Sequence, residues 1–397
     1  MLNPRLEHLG GYPFRRLDAL LDADAPPDPA AVLSMALGEP QHPTPPLLTE
    51  TLAAHGTLWN RYPPVAGTSD FRQAVAAWLI RRYDLPEGSV HPDHNVLPLA
   101  GTKEGLYMLA SVVVGERADG RRPAVLVPNP FYNVYLGAAV MAGAEPVYLP
   151  ATAESGFLPE LEALEPELLE RTALFYLTSP GNPQGMAADM DYLRQAVALA
   201  RRFEFVLVLD ECYAELYYDL PPPGGLAAAI AEDGSFDNVL VMHSLSKRSN
   251  AAGLRSGFVA GDARLIKAFA HLRSYGAATP PLPVIHAATA LWRDEAHVIE
   301  NRALYARKFE MAERRLGNRF GFYRPDGGFF LWLEVGDGEA VARRLWREAG
   351  LKVLPGSYLG RDDPKGGNPG RAYIRLALVH TLPEVEEAFD RLVSTLT

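Results

Sequence analysis

The chain has 397 residues, of which 48% are apolar and 22% charged, an ordinary globular composition with length for two or three domains. Its 38 Lys and Arg against 48 Asp and Glu leave a formal net charge of −10, so it offers no basic footprint for nucleic acid or for an anionic membrane. The single cysteine, Cys212, excludes an internal disulfide framework and any multi-cysteine metal site, and no metal is expected. Residues 1–20 lack the apolar core of a signal peptide, and no run of 18 apolar residues occurs. A reduced cytoplasmic protein is therefore expected. Proline-rich turns fall at 25–30 and 43–46. A helical pattern covers 68–83, and the apolar run 96–99 leads into another at 103–114. Strand-like runs at 124–127, 173–178, 205–209, 239–242 and 257–260 then alternate with helical patterns at 189–203 and 263–275. Turns at 221–225 and 279–283 punctuate them. Short runs that are apolar on both faces suit a mostly parallel, doubly wound α/β sheet covered by helices on both sides. The tail differs. A helical pattern over 286–316 precedes a strand at 328–335, a helix at 338–349, a Gly/Pro-rich loop at 361–370, a strand at 373–378 and a helix at 382–396. The expected organisation is an N-terminal segment 1–48 packing with the small domain, a large domain 49–285 and a small α+β domain 286–397.

Chemistry concentrates at strand-end turns. Ser244-Leu245-Ser246-Lys247 follows the run 239–242, a lysine flanked by hydroxyls. Alone it reads as a surface lysine in a βα loop. Eight residues on, Arg255 sits among glycines in Gly253-Leu254-Arg255-Ser256-Gly257, a composition suited to gripping an anion. One strand earlier, Asp210 ends an apolar run and Tyr213 follows three residues later. That places a carboxylate where α/β sheets bind ligands, although capping a helix would also suit it. Asn182 lies in the turn Ser179-Pro180-Gly181-Asn182-Pro183-Gln184-Gly185. Gly101-Thr102-Lys103 opens a helix, either as a phosphate site or as an ordinary capped start.

Taken in chain order with Tyr132 and Arg375, this set resembles the class I/II aminotransferases, pyridoxal-phosphate (PLP) enzymes of fold type I. The resemblance extends from Leu37-Gly38-Glu39-Pro40 to Arg375. It implies a PLP-dependent transaminase acting on amino-acid and 2-oxo-acid substrates, with Lys247 holding the cofactor as a Schiff base and shuttling the substrate proton. It further implies Asp210 at the pyridine nitrogen, with Tyr213 and Asn182 at the phenolic oxygen. Gly101, Thr102, Lys103, Ser244, Ser246 and Arg255 fall around the phosphate. Tyr132 would stack on the ring, with Phe131 as its alternative. Arg375, Asn182 and Gly38 would meet the substrate carboxylate. Tyr62 would reach the phosphate of a partner subunit, which implies a homodimer with shared active sites; Thr279 is a weaker candidate for the same interface.

Locally, His243-Ser244-Leu245-Ser246-Lys247-Arg248-Ser249-Asn250 and Leu37-Gly38-Glu39-Pro40-Gln41-His42-Pro43-Thr44-Pro45 are similar to N-succinyldiaminopimelate aminotransferases of bacterial lysine biosynthesis. Ala251-Ala252 departs from that pattern. Exchange of an amino group between N-succinyl-LL-2,6-diaminopimelate and 2-oxoglutarate is the resulting expectation, with Arg248 as a candidate for the distal carboxylates. Aspartate, aromatic and N-acetylornithine aminotransferases remain alternatives, as does a carbon–sulfur β-lyase of the same fold. A non-catalytic PLP-binding regulator is a further alternative. It is disfavoured by the acidic charge and by the absence of room for a DNA-binding domain before Leu37.

Overall fold

The computed structural model describes residues 2–363 and 367–397; within the expected loop 361–370, residues 364–366 lie outside the described residues. Seven strands form the main sheet: β1 (Val96–Leu99), β2 (Ala124–Asn129), β3 (Glu145–Pro150), β4 (Thr172–Thr178), β5 (Val206–Asp210), β6 (Val239–Ser244) and β7 (Gly257–Gly261). Their spatial order is β1-β7-β6-β5-β4-β2-β3. The five strands from β3 to β6 run parallel, while β7 is antiparallel to both β6 and β1. The chain between β6 and β7 forms only two short turns, Leu245–Arg248 and Ala252–Leu254. With no helix to carry it back across the sheet, it returns beside β6 in the opposite sense. That tight return sets Ser244 opposite Gly257.

Because side chains alternate along a strand, β5 serves two cores. Leu207 and Leu209 pack with the helices Ser69–Tyr83, Met190–Arg202 and Leu282–Arg293, whereas Val206 and Val208 pack with Thr102–Val113 and Asn133–Met141. The helix Asn133–Met141 and strand β3 both lie between 128 and 172, where the sequence reading contained no element.

A second sheet, antiparallel and three-stranded, consists of β8 (Phe330–Glu334), β9 (Leu354–Pro355) and β10 (Tyr373–Ala377) in the order β9-β10-β8. It packs with the helices Ala296–Leu316, Gly338–Ala349 and Leu382–Leu396. From the N-terminal segment, Leu33–Ser34 pairs with Leu351–Lys352, and Leu17 and Leu21 join Leu354 and Tyr358. The first turn, Pro4–Leu9, lies instead on Asn133–Met141, with Arg5 donating to Met141 O at 2.9 Å.

The single helix expected over 286–316 is two helices, Leu282–Arg293 and Ala296–Leu316. Asp294 is extended between them, and its carboxylate accepts the His297 N–H at 3.1 Å. The first helix buries Ile285 and Trp292 in the large core, whereas the second buries Phe309 and Leu316 in the small one. Each has its own apolar stripe, so hydrophobic periodicity ran on through the capping aspartate. Among the described residues no helix is long and apolar enough to cross a membrane.

Candidate active site

The C-terminal ends of the parallel strands open into a cavity of about 580 Å³, covered on its far side by residues 37–39 and by Arg375 of β10. Ser244, at the end of β6, caps the turn Leu245–Arg248, its Oγ accepting the Ser246 N–H at 3.1 Å and lying 2.9 Å from Ser246 Oγ. This turn directs Lys247 into the cavity. There its Nζ donates to Gly38 O at 2.6 Å and lies 5.1 Å from the centroid of the Phe329 ring. Burial lowers the Lys247 pKa to about 8; repulsion from Arg375 and Arg255 adds to the drop, while Cys212 and Glu39 oppose it.

Asp210 ends β5 and is 6% exposed. Its Oδ2 accepts from Tyr135 Oη at 2.8 Å and its Oδ1 from the Cys212 N–H at 3.3 Å. No helix follows it, so the helix-capping alternative gives way to a bond within a turn. Burial raises its pKa, and the hydrogen bonds from Cys212 and Tyr135 oppose that rise. Among the described residues it has no salt-bridge partner. A buried carboxylate of this kind is a place for a cationic N–H group.

The opposite chemistry collects at the start of the helix Thr102–Val113. Arg255, in the left-handed region at φ 55°, donates to Ala252 O at 3.0 Å and to Ala100 O at 3.3 Å. Its guanidinium lies over Gly101. A Cβ there would come within 2.4 Å of Arg255 Nη2, and the Gly101 φ of 83° independently favours glycine. Free N–H groups at the helix start, the Arg255 guanidinium, the hydroxyls of Ser244 and Ser246 and the exposed Lys103 make this the anion-binding end. Thr102 turns its hydroxyl to Cys212 Sγ, 3.0 Å away.

Arg375 is 4% exposed. It donates to Asn182 Oδ1 at 3.0 Å and to Ala36 O at 2.8 Å, it lies 4.2 Å over the Phe330 ring, and its Nε has no partner in the protein. Burial lowers its pKa to about 10. A guanidinium buried without a carboxylate among the described residues is poised for an incoming anion. Arg375→Lys, which removes the planar fork, is expected to raise KM for amino donor and oxo acid alike by about 10- to 100-fold, the worth of one charge-assisted hydrogen bond. Steady-state kinetics with both substrates check this, and unchanged KM values would leave Arg375 a structural residue.

Tyr213 rests its ring against Phe329 and Phe330, with centroids 5.4 and 5.8 Å away, and faces the cavity. Tyr132 and Phe131 both line it; Tyr132 lies edge-on to Tyr135 at 5.9 Å, while Phe131 is 2% exposed and stacks on Tyr148. Tyr62 and Thr279 do not line this cavity, and Tyr62 is 100% exposed on the isolated chain. Arg248 points away, buried between Trp78 and Trp292 and bonded to Leu291 O at 2.7 Å, so it is not available for distal carboxylates. The sequence reading missed Tyr135, which lies in the first turn of the helix Asn133–Met141, an element it did not contain. It also missed Tyr12, Glu39 as a side chain, and Phe330, which reach the wall from distant segments with no local signature. Among the described residues no cluster of His, Cys, Asp and Glu could hold a metal ion.

The family described as aminotransferase class I and II matches residues 30–392. An LL-diaminopimelate aminotransferase from Syntrophobacter fumaroxidans is 31% identical, over 98% of this chain and 97% of that protein. The 4-dedimethylamino-4-oxo-anhydrotetracycline transaminase OxyQ of Streptomyces rimosus is 34% identical, over 92% and 94%. Among solved structures, an aminotransferase from Neisseria meningitidis superposes with a TM-score of 0.95 at 40% identity, covering both chains completely.

Proposed function

The chain belongs to the class I and II aminotransferases, and from that premise we propose that it moves an amino group between a diaminopimelate-type donor and 2-oxoglutarate. It is a transaminase that depends on pyridoxal 5′-phosphate. The cavity suits that cofactor, with an anion-binding end where Gly101 leaves room for Arg255 and a buried acid, Asp210, for a ring N–H. When bound, the cofactor supplies the electron sink that makes the substrate Cα–H acidic.

The chain's own residues supply the rest. Lys247 would hold the cofactor through its amine and, with that amine free, would take the proton from the substrate Cα and return it across the exchange. Asp210, oriented by the Tyr135 hydroxyl, would keep a bound ring nitrogen protonated. Asn182 gives its Oδ1 to Arg375, which leaves its Nδ2 free to act with Tyr213 on the phenolic oxygen. Tyr132, on the cavity wall, would pack against the ring. Arg255, Ser244, Ser246 and the Gly101-Thr102-Lys103 helix start would hold the phosphate. Arg375 grips the α-carboxylate beside Gly38 and so fixes the Cα–H toward Lys247. The observation that carries this reading is Arg375 itself, a buried cation lacking a carboxylate that lines one cavity with a lysine held partly neutral.

The runs around Lys247 and Gly38 support the N-succinylated donor. A second reading, unacylated LL-diaminopimelate, is favoured by relatives named for that compound and by Glu39. That exposed acid lines the cavity and suits a distal ammonium better than a succinyl carboxylate. With 2-oxoglutarate as acceptor, N-succinyl-LL-2,6-diaminopimelate is expected to show the highest kcat/KM in a panel with LL-diaminopimelate, aspartate, phenylalanine and N-acetylornithine. A tenfold preference for the unacylated compound, about 1.4 kcal/mol of transition-state discrimination, would install the second reading. The same preference for any other donor would remove the lysine-pathway assignment and leave the transaminase.

We further propose a cytoplasmic homodimer with composite sites, supported by the exposure of Tyr62 and Arg255 on the isolated chain. The proposed parts are the segment 1–48, a large domain and a small domain. The boundary between the last two moves from 285/286 to the break at Asp294–Glu295, because Leu282–Arg293 packs in the large core.

A further inference from the structure

Behind the cavity, outside the wall that meets substrate, lies a line of buried polar groups. Lys308, on the helix Ala296–Leu316, is 2% exposed and has no salt-bridge partner among the described residues. Its Nζ donates to Leu378 O at 2.8 Å, just past β10, and lies 2.7 Å from His42 Nε2. The other ring nitrogen of His42, Nδ1, lies 3.1 Å from Asn301 Oδ1. Asn301 is 3% exposed; its Nδ2 donates to Lys247 O at 3.1 Å and to Arg248 O at 3.3 Å, while its Oδ1 also accepts from Asn250 Nδ2 at 2.9 Å.

The donors and acceptors allow one direction only. The carbonyls of Lys247 and Arg248 can only accept, so the Asn301 amide turns its NH₂ to them and its Oδ1 to His42, whose Nδ1 must donate; in the neutral imidazole Nε2 is then the acceptor for Lys308. The chain of bonds therefore runs unbroken from strand β10, through a helix of the small core, to the backbone of Lys247. Burial lowers the Lys308 pKa to about 7 and also lowers that of His42. Keeping a lysine here is costly, and a purely structural core would be served by an apolar side chain.

The segment that carries His42 ties in the site as well. Ala36 O accepts from Arg375 at 2.8 Å and Gly38 O from Lys247 at 2.6 Å, so residues 36–42 touch the carboxylate grip, the cofactor lysine and the buried line in turn. Pro40 stiffens that segment.

We propose that His42, Lys308 and Asn301 are positioning residues, a relay that holds the Lys247 turn and the Arg375 strand at the separation a substrate must span. It rests on the roles proposed above for Lys247 and Arg375. The test compares His42→Gln with His42→Leu in the PLP-loaded enzyme. Glutamine keeps one donor for Asn301 and one acceptor for Lys308; leucine keeps bulk and loses both. Leucine is expected to raise KM for the amino donor and for 2-oxoglutarate by about tenfold, with kcat changed less and cofactor occupancy intact. Glutamine should restore KM to within about threefold of the parent. Wild-type KM in the leucine variant, or equal losses in both variants, would overturn the relay while the parent's transamination stands. A parent that transaminates no amino acid would overturn the functional reading and the relay together. If the leucine variant does not fold, Lys308→Met, which removes the first donor, is expected to show the same KM rise, and its absence would overturn the relay.

Discussion

Lys247→Ala is expected to lower turnover by about four orders of magnitude or more, because in the proposed roles one side chain both anchors the cofactor and moves the substrate proton. PLP should remain bound without a covalent link, held by Arg255 at one end and Asp210 at the other. The physical reason lies in the site that lowers the Lys247 pKa to about 8. At pH 7 roughly one amine in ten is then neutral, against a few in ten thousand for an ordinary lysine. Single-turnover rates with glutamate measure the loss, and borohydride reduction followed by peptide mapping identifies the anchored lysine. Label on Lys103, the other lysine lining the cavity, would move the assignment. A second consequence is thermodynamic. The folded value lies below the 10.5 of a free lysine, so the unfolded chain binds more protons between about pH 8 and 10.5. Apoprotein stability should therefore gain from this group as pH rises through that window. Urea denaturation of the apoprotein at the two ends of the window should show a smaller gain in Lys247→Ala.

Asp210→Asn should retain PLP yet lose about 10²–10³ in kcat, the size of other preorganised electrostatic effects in dry sites. The amide keeps the shape: its one oxygen can still accept from the Cys212 N–H, and its NH₂ can donate to Tyr135 Oη, whose own proton turns to Thr178 Oγ1 2.7 Å away. What it loses is the charge that holds a proton on the ring nitrogen. At 6% exposure, little water reaches the site to replace that charge. Full kcat in this variant would reduce Asp210 to a residue that ties its own turn.

Much of the site was legible because its residues lie where apolar runs end. Asp210, Ser244, Lys247 and Arg255 stand at or beside the ends of β5, β6 and β7, and strand-end position is written in the local pattern of apolar and turn residues. Tyr62, expected at the phosphate of a partner subunit, does not line the cavity of the single chain.

The chain's own text was sufficient for the alternating α/β architecture, the strand-end cluster and the resemblance to an aminotransferase, since each depends on residues within one or two elements. The tertiary structure decided that β7 runs backward, that the helix over 286–316 breaks at Asp294, and that Arg248 faces inward between two tryptophans. It alone joined His42 to Asn301 across 259 residues and Arg375 to Ala36 across 339. Contacts at such separations leave no period in the sequence. They exist only once two cores, each specified locally, have closed on one another and the buried polar groups between them must find partners.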